Sequence, residues 1–483
     1  MKILLVNPDP KDRPPVAPWP HRGLVLWAAG ARAAGHEVRV ADYAYSPKAP
    51  PVASWIAGFT PDLCGLTLYT AHMSQARKTI AEIRRLTPVP IVLGGPHASL
   101  HAESLAGERL GDWIFRGEFD WAFVEELPRI RRGTETRVVS AEPPDLAATP
   151  APDFGPAFGS ESMMSYPVQL SRGCPFSCSF CSVRFLSTRK IRTRGLEAAL
   201  DEIAGAVRTR PRLREIRIVD DCPTYDLERF KEFLRLYQDR RFGLPLHIDN
   251  LRADRLDEEM LDLLKAIGVD HVCIGVESGN RAVFEAIHKG ETLDEIVEAA
   301  RLVRARGLRL YVCFIIGLPG ATAAAERDSI RLARALKPDW IYWNLFQPHR
   351  GTDARAWFER HGRVLFEEDT SSLMGLDLAV TEAPCDTPEF PAGERVRIHL
   401  TAALESGAYW LNPLFFPRHL KLVAAYGLGR SFFVGLSAAL RINFKTVPST
   451  HLRAHETPEH LVCRLWPEKI TTINTRVYTL IVF

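Results

Sequence analysis

The sequence has no apolar run of about 18 residues or more, the length a membrane-spanning helix needs. The nearest candidate, 432–440, stops well short, so no transmembrane segment is expected. An excess of either charge is also missing. Lysine and arginine number 61 against 58 aspartates and glutamates, a net charge of +3. That balance leaves no electrostatic footprint for nucleic acid or an anionic membrane. Basic clusters such as 208–214 read as solvated helix ends. Disulfide-like spacing is absent too. Six of the nine cysteines (Cys64, Cys222, Cys273, Cys313, Cys385, Cys463) are scattered, mostly inside apolar runs. Their scatter points to a reducing, cytoplasmic setting. The opening residues 1–6 hold one lysine and a short apolar run before Asn7-Pro8, which reads as a strand and not a signal peptide. At 483 residues the chain suggests two or three domains.

What is present is concentrated in one stretch, Ser171-Arg172-Gly173-Cys174-Pro175-Phe176-Ser177-Cys178-Ser179-Phe180-Cys181. Its cysteines stand at C-x3-C-x2-C spacing, after a strand-like run and before a helical one. Thiolates suit zinc, Cu(I) or iron–sulfur clusters. A structural zinc or a fully ligated cluster takes four protein ligands. Three close thiolates therefore read as a 4Fe–4S cluster with one iron left open. A zinc with a distant fourth ligand and three unrelated buried cysteines are the alternatives at this point. The loop, with Phe180 just before its third cysteine, resembles the signature of the radical S-adenosylmethionine (SAM) enzymes. The resemblance implies that Cys174, Cys178 and Cys181 hold the cluster. It also implies that SAM chelates the open iron and is cleaved to a 5′-deoxyadenosyl radical.

Residues 1–140 alternate strand-like runs (3–6, 37–40, 63–68, 90–93, 113–115) with amphipathic stretches (23–34, 74–85, 119–130). That alternation predicts a flavodoxin- or Rossmann-like parallel sheet covered by helices, with ligands at the carboxyl ends of its strands. Those ends carry Asn7-Pro8, Thr67-Leu68-Tyr69-Thr70, Gly94-Gly95-Pro96-His97 and Gly117-Glu118. Taken together they resemble the cobalamin-binding domain found in front of many radical SAM enzymes. The resemblance implies that Asn7, Pro8, Thr67, Tyr69, Thr70, Gly94, Gly95, His97, Gly117 and Glu118 line cobalamin. The Asp-x-His-x-x-Gly motif of other cobalamin proteins is missing, since Trp19 stands two residues before His21. The resemblance to the radical SAM branch implies cobalamin bound without a histidine lower ligand; a degenerate Rossmann-like domain with no cofactor is the alternative.

A proline-rich linker is expected at 141–160. From 161 to 352 a strand–helix unit recurs six times, with strands at 168–171, 215–219, 246–249, 271–276, 309–316 and 340–346. Six units predict a partial (β/α)6 barrel of the TIM type, with chemistry at the carboxyl ends of its strands. Asp221 follows the second strand and Arg252 the third, as candidates for the amino and carboxylate groups of SAM. Glu277-Ser278 ends the fourth strand and resembles the family's Gly-x-Glu-Ser-Gly element. Ile316-Gly317-Leu318-Pro319 ends the fifth and offers backbone to an adenine edge. Phe180, Asp221, Arg252, Glu277, Ser278, Ile316, Gly317, Leu318 and Pro319 form the candidate SAM set. His349, after the sixth strand, is a weaker acid–base candidate.

Residues 353–483 suggest a small, mainly helical region, with helical patterns at 392–405, 419–425 and 432–444. The aromatics Tyr409, Trp410, Phe415 and Phe416 read as core. Basic residues flank 432–444, which is compatible with peripheral membrane contact. The whole resembles a cobalamin-dependent radical SAM methyltransferase acting on an unactivated carbon of a small-molecule or lipid-like substrate, fed electrons by a flavodoxin or ferredoxin. A relative that cyclises or rearranges its substrate without methylating it is the alternative. A non-catalytic cobalamin- or zinc-binding regulator is another, from a different class.

Overall fold

The computed structural model describes residues 1–8, 17–149, 151–370 and 382–410. The patterns expected at 419–425 and 432–444 lie outside the described residues, as do Phe415 and Phe416.

Six strands build the first sheet: β1 (Lys2–Asn7), β2 (Glu37–Asp42), β3 (Leu63–Thr67), β4 (Ile91–Gly94), β5 (Trp113–Arg116) and β6 (Arg137–Ser140). Their order is β2-β1-β3-β4-β5-β6, all parallel. The first five follow the flavodoxin-like order, so the ligand crevice falls where β1 and β3 diverge. In β1 the apolar run KILLVN is buried from Ile3 onward, because helices cover both faces of a parallel sheet. Trp27, on the helix Arg22–Ala33, stacks on Phe123 with ring centroids 4.4 Å apart. Glycine makes this possible: a Cβ on Gly94 would lie 2.8 Å from the Trp27 ring.

The proline-rich stretch expected as a linker is partly built into the fold. Val40 donates its N–H to the Pro156 carbonyl, and Phe158 donates back to Val40. The chain thus lies along the free edge of β2. Phe154 is fully buried against Tyr166.

Six more parallel strands follow: β7 (Ser165–Val168), β8 (Glu215–Ile218), β9 (Leu246–Ile248), β10 (His271–Glu277), β11 (Arg309–Ile316) and β12 (Trp340–Leu345). They form two arcs, β9-β8-β7 and β10-β11-β12, joined by a single parallel bridge between Leu251 and Ile274. Burial along β11 alternates residue by residue. Leu310, Val312, Phe314 and Ile316 pack outward on helices, and Arg309, Tyr311, Cys313 and Ile315 face the barrel interior. β7 begins and ends three residues earlier than expected. The Asp220 side chain takes the Leu170 N–H at 2.7 Å, so no backbone donor remains there to continue the ladder. The N-terminal domain meets the barrel directly. Arg22 donates to the Pro167 carbonyl at 3.2 Å, and the Arg217 guanidinium lies over the Trp19 ring. The helix Ala392–Trp410 runs past the expected end at 405. All eight described cysteines are free thiols.

Trp27→Ala is expected to destabilise the protein by about 3–5 kcal/mol, because neither Gly94 nor the buried strands can collapse into the gap. Urea unfolding measures this, and a loss under about 1 kcal/mol, below the usual range for such a truncation, would contradict the packing described.

Candidate functional site

The three-cysteine loop is held from below by the turn that follows β8. Asp220 accepts from the Leu170 N–H and, at 2.6 Å, from the Ser171 hydroxyl. Asp221 accepts from the Gly173 N–H at 2.8 Å. Burial pushes the Asp220 carboxyl up to about 7, against the pull of those same hydrogen bonds. Gly173 has φ +94°, and a Cβ there would lie 2.7 Å from the Lys190 carbonyl oxygen and 2.8 Å from that of Thr188. Only glycine fits. Cys174 donates its N–H to the Thr188 carbonyl at 3.1 Å, Ser179 donates to Ile287 at 2.8 Å, and Ala354 donates to Ser179 at 2.9 Å. The loop is thereby tied on several sides by the protein's own backbone.

Its thiols sit in contrasting surroundings. Burial pushes Cys178 up to about 11 and Cys181 up to about 12. The buried Cys222 thiol beside it brings Cys174 down, against the opposing effect of burial. Lys289 and Arg252 lie close enough to favour the Cys178 thiolate. Arg252 stacks on Phe176 at 3.5 Å. Its guanidinium is already engaged: it donates to Asp254 at 2.9 Å and to the Lys289 and Gly290 carbonyls. The structure thus places Asp221 and Arg252 as supports of the cysteine loop, each with its polar groups engaged within the protein.

The rim above holds the remaining SAM candidates. Glu277 adopts φ +63° at a bulge that ends the β10–β11 pairing. Non-glycine residues in that region are costly and concentrate at functional sites. Its carboxylate is 3.4 Å from Lys289 Nζ, which also lies 3.2 Å from Glu291. The Ser278 hydroxyl is buried and accepts from the Asn280 N–H. Ile316 is buried in β11. Gly317, at φ +86°, donates its N–H to Glu326 at 2.8 Å, and its carbonyl accepts from Arg395 at 2.6 Å. Any Cβ on Gly317 would strike that guanidinium. Leu318 is buried and Pro319 completes the turn. Phe180 packs partly buried against the main core.

The opposing face is the crevice of the first sheet. Asn7 donates to Asp42 at 2.9 Å, and Pro8 follows it, buried. His21 bonds Tyr69 at 2.8 Å, lies 3.4 Å from Thr67 and caps its helix at Leu24. Thr70 bonds His97 at 3.0 Å, and His97 stacks on His101 at 4.0 Å. Burial pulls His21 and His101 down to about 4 and His97 down to about 3. Gly95 and Gly117 have φ +92° and +88°, and Gly117 donates to the Ser99 hydroxyl. Glu118 reaches across to the barrel. It pairs with Arg172 at 2.7 Å and with Arg192, and Asp120 joins Arg172 at 2.6 Å. Burial works against the Glu118 carboxylate, but the two arginines outweigh it and hold its pKa below the usual range.

Residues 168–333 match the Radical SAM superfamily, and residues 15–126 match the B12 binding domain. Together the two matches take in more than half of the chain. The chain belongs to the cobalamin-binding radical SAM enzymes. An uncharacterized methyltransferase of Pyrococcus horikoshii is 28% identical over 386 residues, covering 74% of this chain and 82% of that protein. The anaerobic magnesium-protoporphyrin IX monomethyl ester cyclase of Rubrivivax gelatinosus is 27% identical over 61% of this chain, which spans 58% of the cyclase. Among solved structures, the radical S-adenosylmethionine methyltransferase TsrM of Kitasatospora setae, with tryptophan substrate and a SAM analogue bound, aligns with TM-score 0.60 at 22% identity. That alignment covers 74% of this chain and 76% of TsrM, and it shows a shared fold.

In this cobalamin-binding radical SAM enzyme the residues present fit both groups. An iron–sulfur cluster needs thiolates, and the cysteine loop offers three with two cations beside them. Cobalamin without a histidine lower ligand fits a crevice in which His97 is buried with its Nδ1 on Thr70 and His21 is hydrogen-bonded. His97 is fully buried, and His21 is spent on Tyr69 and its own helix. Sequence reasoning missed Lys289, Glu326 and Arg395. A Lys-Gly-Glu turn looks like any solvated turn, and Arg395 lies 78 residues from the glycine it holds.

Two outcomes follow from this geometry. Gly173→Ala should reduce iron retained after anaerobic reconstitution from about four atoms per chain towards none; full iron content would contradict the tight fit. Burial raises Glu326 from its ordinary 4.5 to about 7. The folded protein therefore holds a proton that the unfolded chain has released. The stability from that proton is full below about pH 4.5 and is lost as pH rises through about 7. Glu326→Gln, which keeps an acceptor for Gly317, should be relatively more stable against wild type at pH 8 than at pH 5. Equal differences at both pH values would contradict the burial argument.

Proposed function

We propose that this enzyme transfers a methyl group to an unactivated carbon of a small-molecule or lipid-like substrate. One observation carries the reading: Glu118, at the carboxyl edge of the first sheet, is ion-paired to Arg172, two residues before Cys174. The face suited to cobalamin and the loop suited to the cluster therefore share one rim. Bound there, the cluster with SAM supplies a hydrogen-abstracting 5′-deoxyadenosyl radical, and cobalamin supplies a methyl group. An sp3 carbon has no lone pair for a polar methyl donor, which is why both are needed.

The chain's own part is to bind, orient and exclude water. Cys174, Cys178 and Cys181 ligate the cluster, with Lys289 and Arg252 offsetting its negative charge. Glu277 and the Gly317-Leu318-Pro319 turn present a carboxylate and backbone to the SAM amino acid and adenine. Asn7, Thr67, Tyr69, Thr70, Gly94, Gly95 and Gly117 line the cobalamin crevice. A flavodoxin or ferredoxin is the expected electron donor. The scattered cysteines favour a reducing, cytoplasmic setting. Among the described residues no helix is long and apolar enough to cross a membrane. The similarity to a cyclase at nearly the same identity favours one second reading, oxidative cyclisation with the same cofactors.

Product analysis separates the two. Methylation should yield S-adenosylhomocysteine and 5′-deoxyadenosine in equal amounts, with a substrate heavier by one methylene. 5′-Deoxyadenosine without S-adenosylhomocysteine would overturn methylation in favour of cyclisation. Cys178→Ala should abolish both products.

A further inference from the structure

The helix Met73–Leu86 opens beside the Thr70 loop, yet its own N-cap residue, His72, makes no side-chain cap. A helix start leaves backbone N–H groups without intrahelical partners. Here the carboxylate comes from 295 residues away: Asp369 accepts from the Ser74 N–H at 2.9 Å. The Asp369 N–H donates in turn to the Thr70 carbonyl at 2.8 Å. Its backbone sits at φ +57°, a conformation that Asp and Asn tolerate and most other residues do not. The two preceding residues continue the pattern. Glu368 pairs with Arg77 at 3.0 Å and lies 3.4 Å from the buried His97 Nε2. Glu367 pairs on the barrel side with Arg350 at 2.7 Å and Arg355 at 2.8 Å, and lies 3.8 Å from His101 on the other.

These contacts converge on two loops, Thr70 to Ser74 and Gly95 to His101. Both flank the crevice suited to cobalamin. A loop that must be ordered by its ligand loses binding energy to that ordering, and one ordered beforehand does not. Charge-assisted hydrogen bonds to backbone N–H groups are among the stronger ways to order a loop.

We propose that Glu367, Glu368 and Asp369 form a clasp from the barrel side that positions the Thr70 and His97 loops for cobalamin. They are positioning residues: they act through the loops and do not touch the reacting atoms. The inference rests on the cobalamin reading above and deepens it.

The test titrates hydroxocobalamin into the full-length, iron-loaded protein and reads the absorbance change. Asp369→Ala should weaken the Kd about tenfold, the scale of a lost helix cap, with iron content unchanged. Asp369→Asn keeps an acceptor and tolerates φ +57°, so it should bind within about twofold of wild type on the same scale. Wild-type affinity in Asp369→Ala would overturn the clasp. Equal weakening in both variants would overturn it too, because any bulk disruption does that. If neither variant folds, Glu368→Gln decides: severalfold weaker binding supports the clasp, and unchanged binding rejects it. Failure of the wild-type chain itself to bind hydroxocobalamin would sink the cobalamin reading instead, and is thereby distinguishable.

Discussion

The site depends on two neighbouring carboxylates reading the backbone of one loop. Asp220 holds Leu170 and Ser171, and Asp221 holds Gly173. These bonds end the first barrel strand and turn the chain upward at the point where the first cysteine stands. Buried carboxylates are expensive unless they are hydrogen-bonded, and here the loop's own N–H and O–H groups satisfy them. The shape of the cysteine loop is therefore set in part by the protein's own hydrogen bonds. A cluster held there with one iron left to SAM would be kept in position by that shape.

The same loop is where the two halves of the molecule meet. Arg172 sits between Gly173 and the strand end, and Glu118 and Asp120 grip it from the first domain. On the other side, Gly317 is held by Glu326 within the barrel and by Arg395 from the helix that follows it. Residues from three parts of the sequence thus set one rim. The ion pairs there are largely buried, which strengthens each electrostatic contact.

Much of this was legible in the sequence. The cysteine spacing, the six strand–helix units and the apolar runs of β1 and β3 are local signals, and β11 falls at 309–316 as its apolar run predicts. β6 escaped notice because Arg137–Ser140 is a short, half-exposed edge strand with no clear alternation. The helix Val52–Phe59 was missed behind Pro50-Pro51, being only eight residues long. The roles of Asp221 and Arg252 were less legible. A carboxylate after a strand looks the same whether it faces a ligand or a neighbouring N–H. The fold shows that Asp221 accepts from the Gly173 N–H and that Arg252 donates to Asp254 and two carbonyls. Contacts between distant segments, such as Asp369 on Ser74, leave no local trace at all.

The central claim is that this loop holds a cluster with one iron open to SAM. Electron–nuclear double resonance on the reduced protein with 15N- and 17O-labelled SAM tests it most directly. Coupling of both labels to the cluster spin is the predicted result. A reduced cluster with no coupling to either label, in protein saturated with SAM, would contradict it.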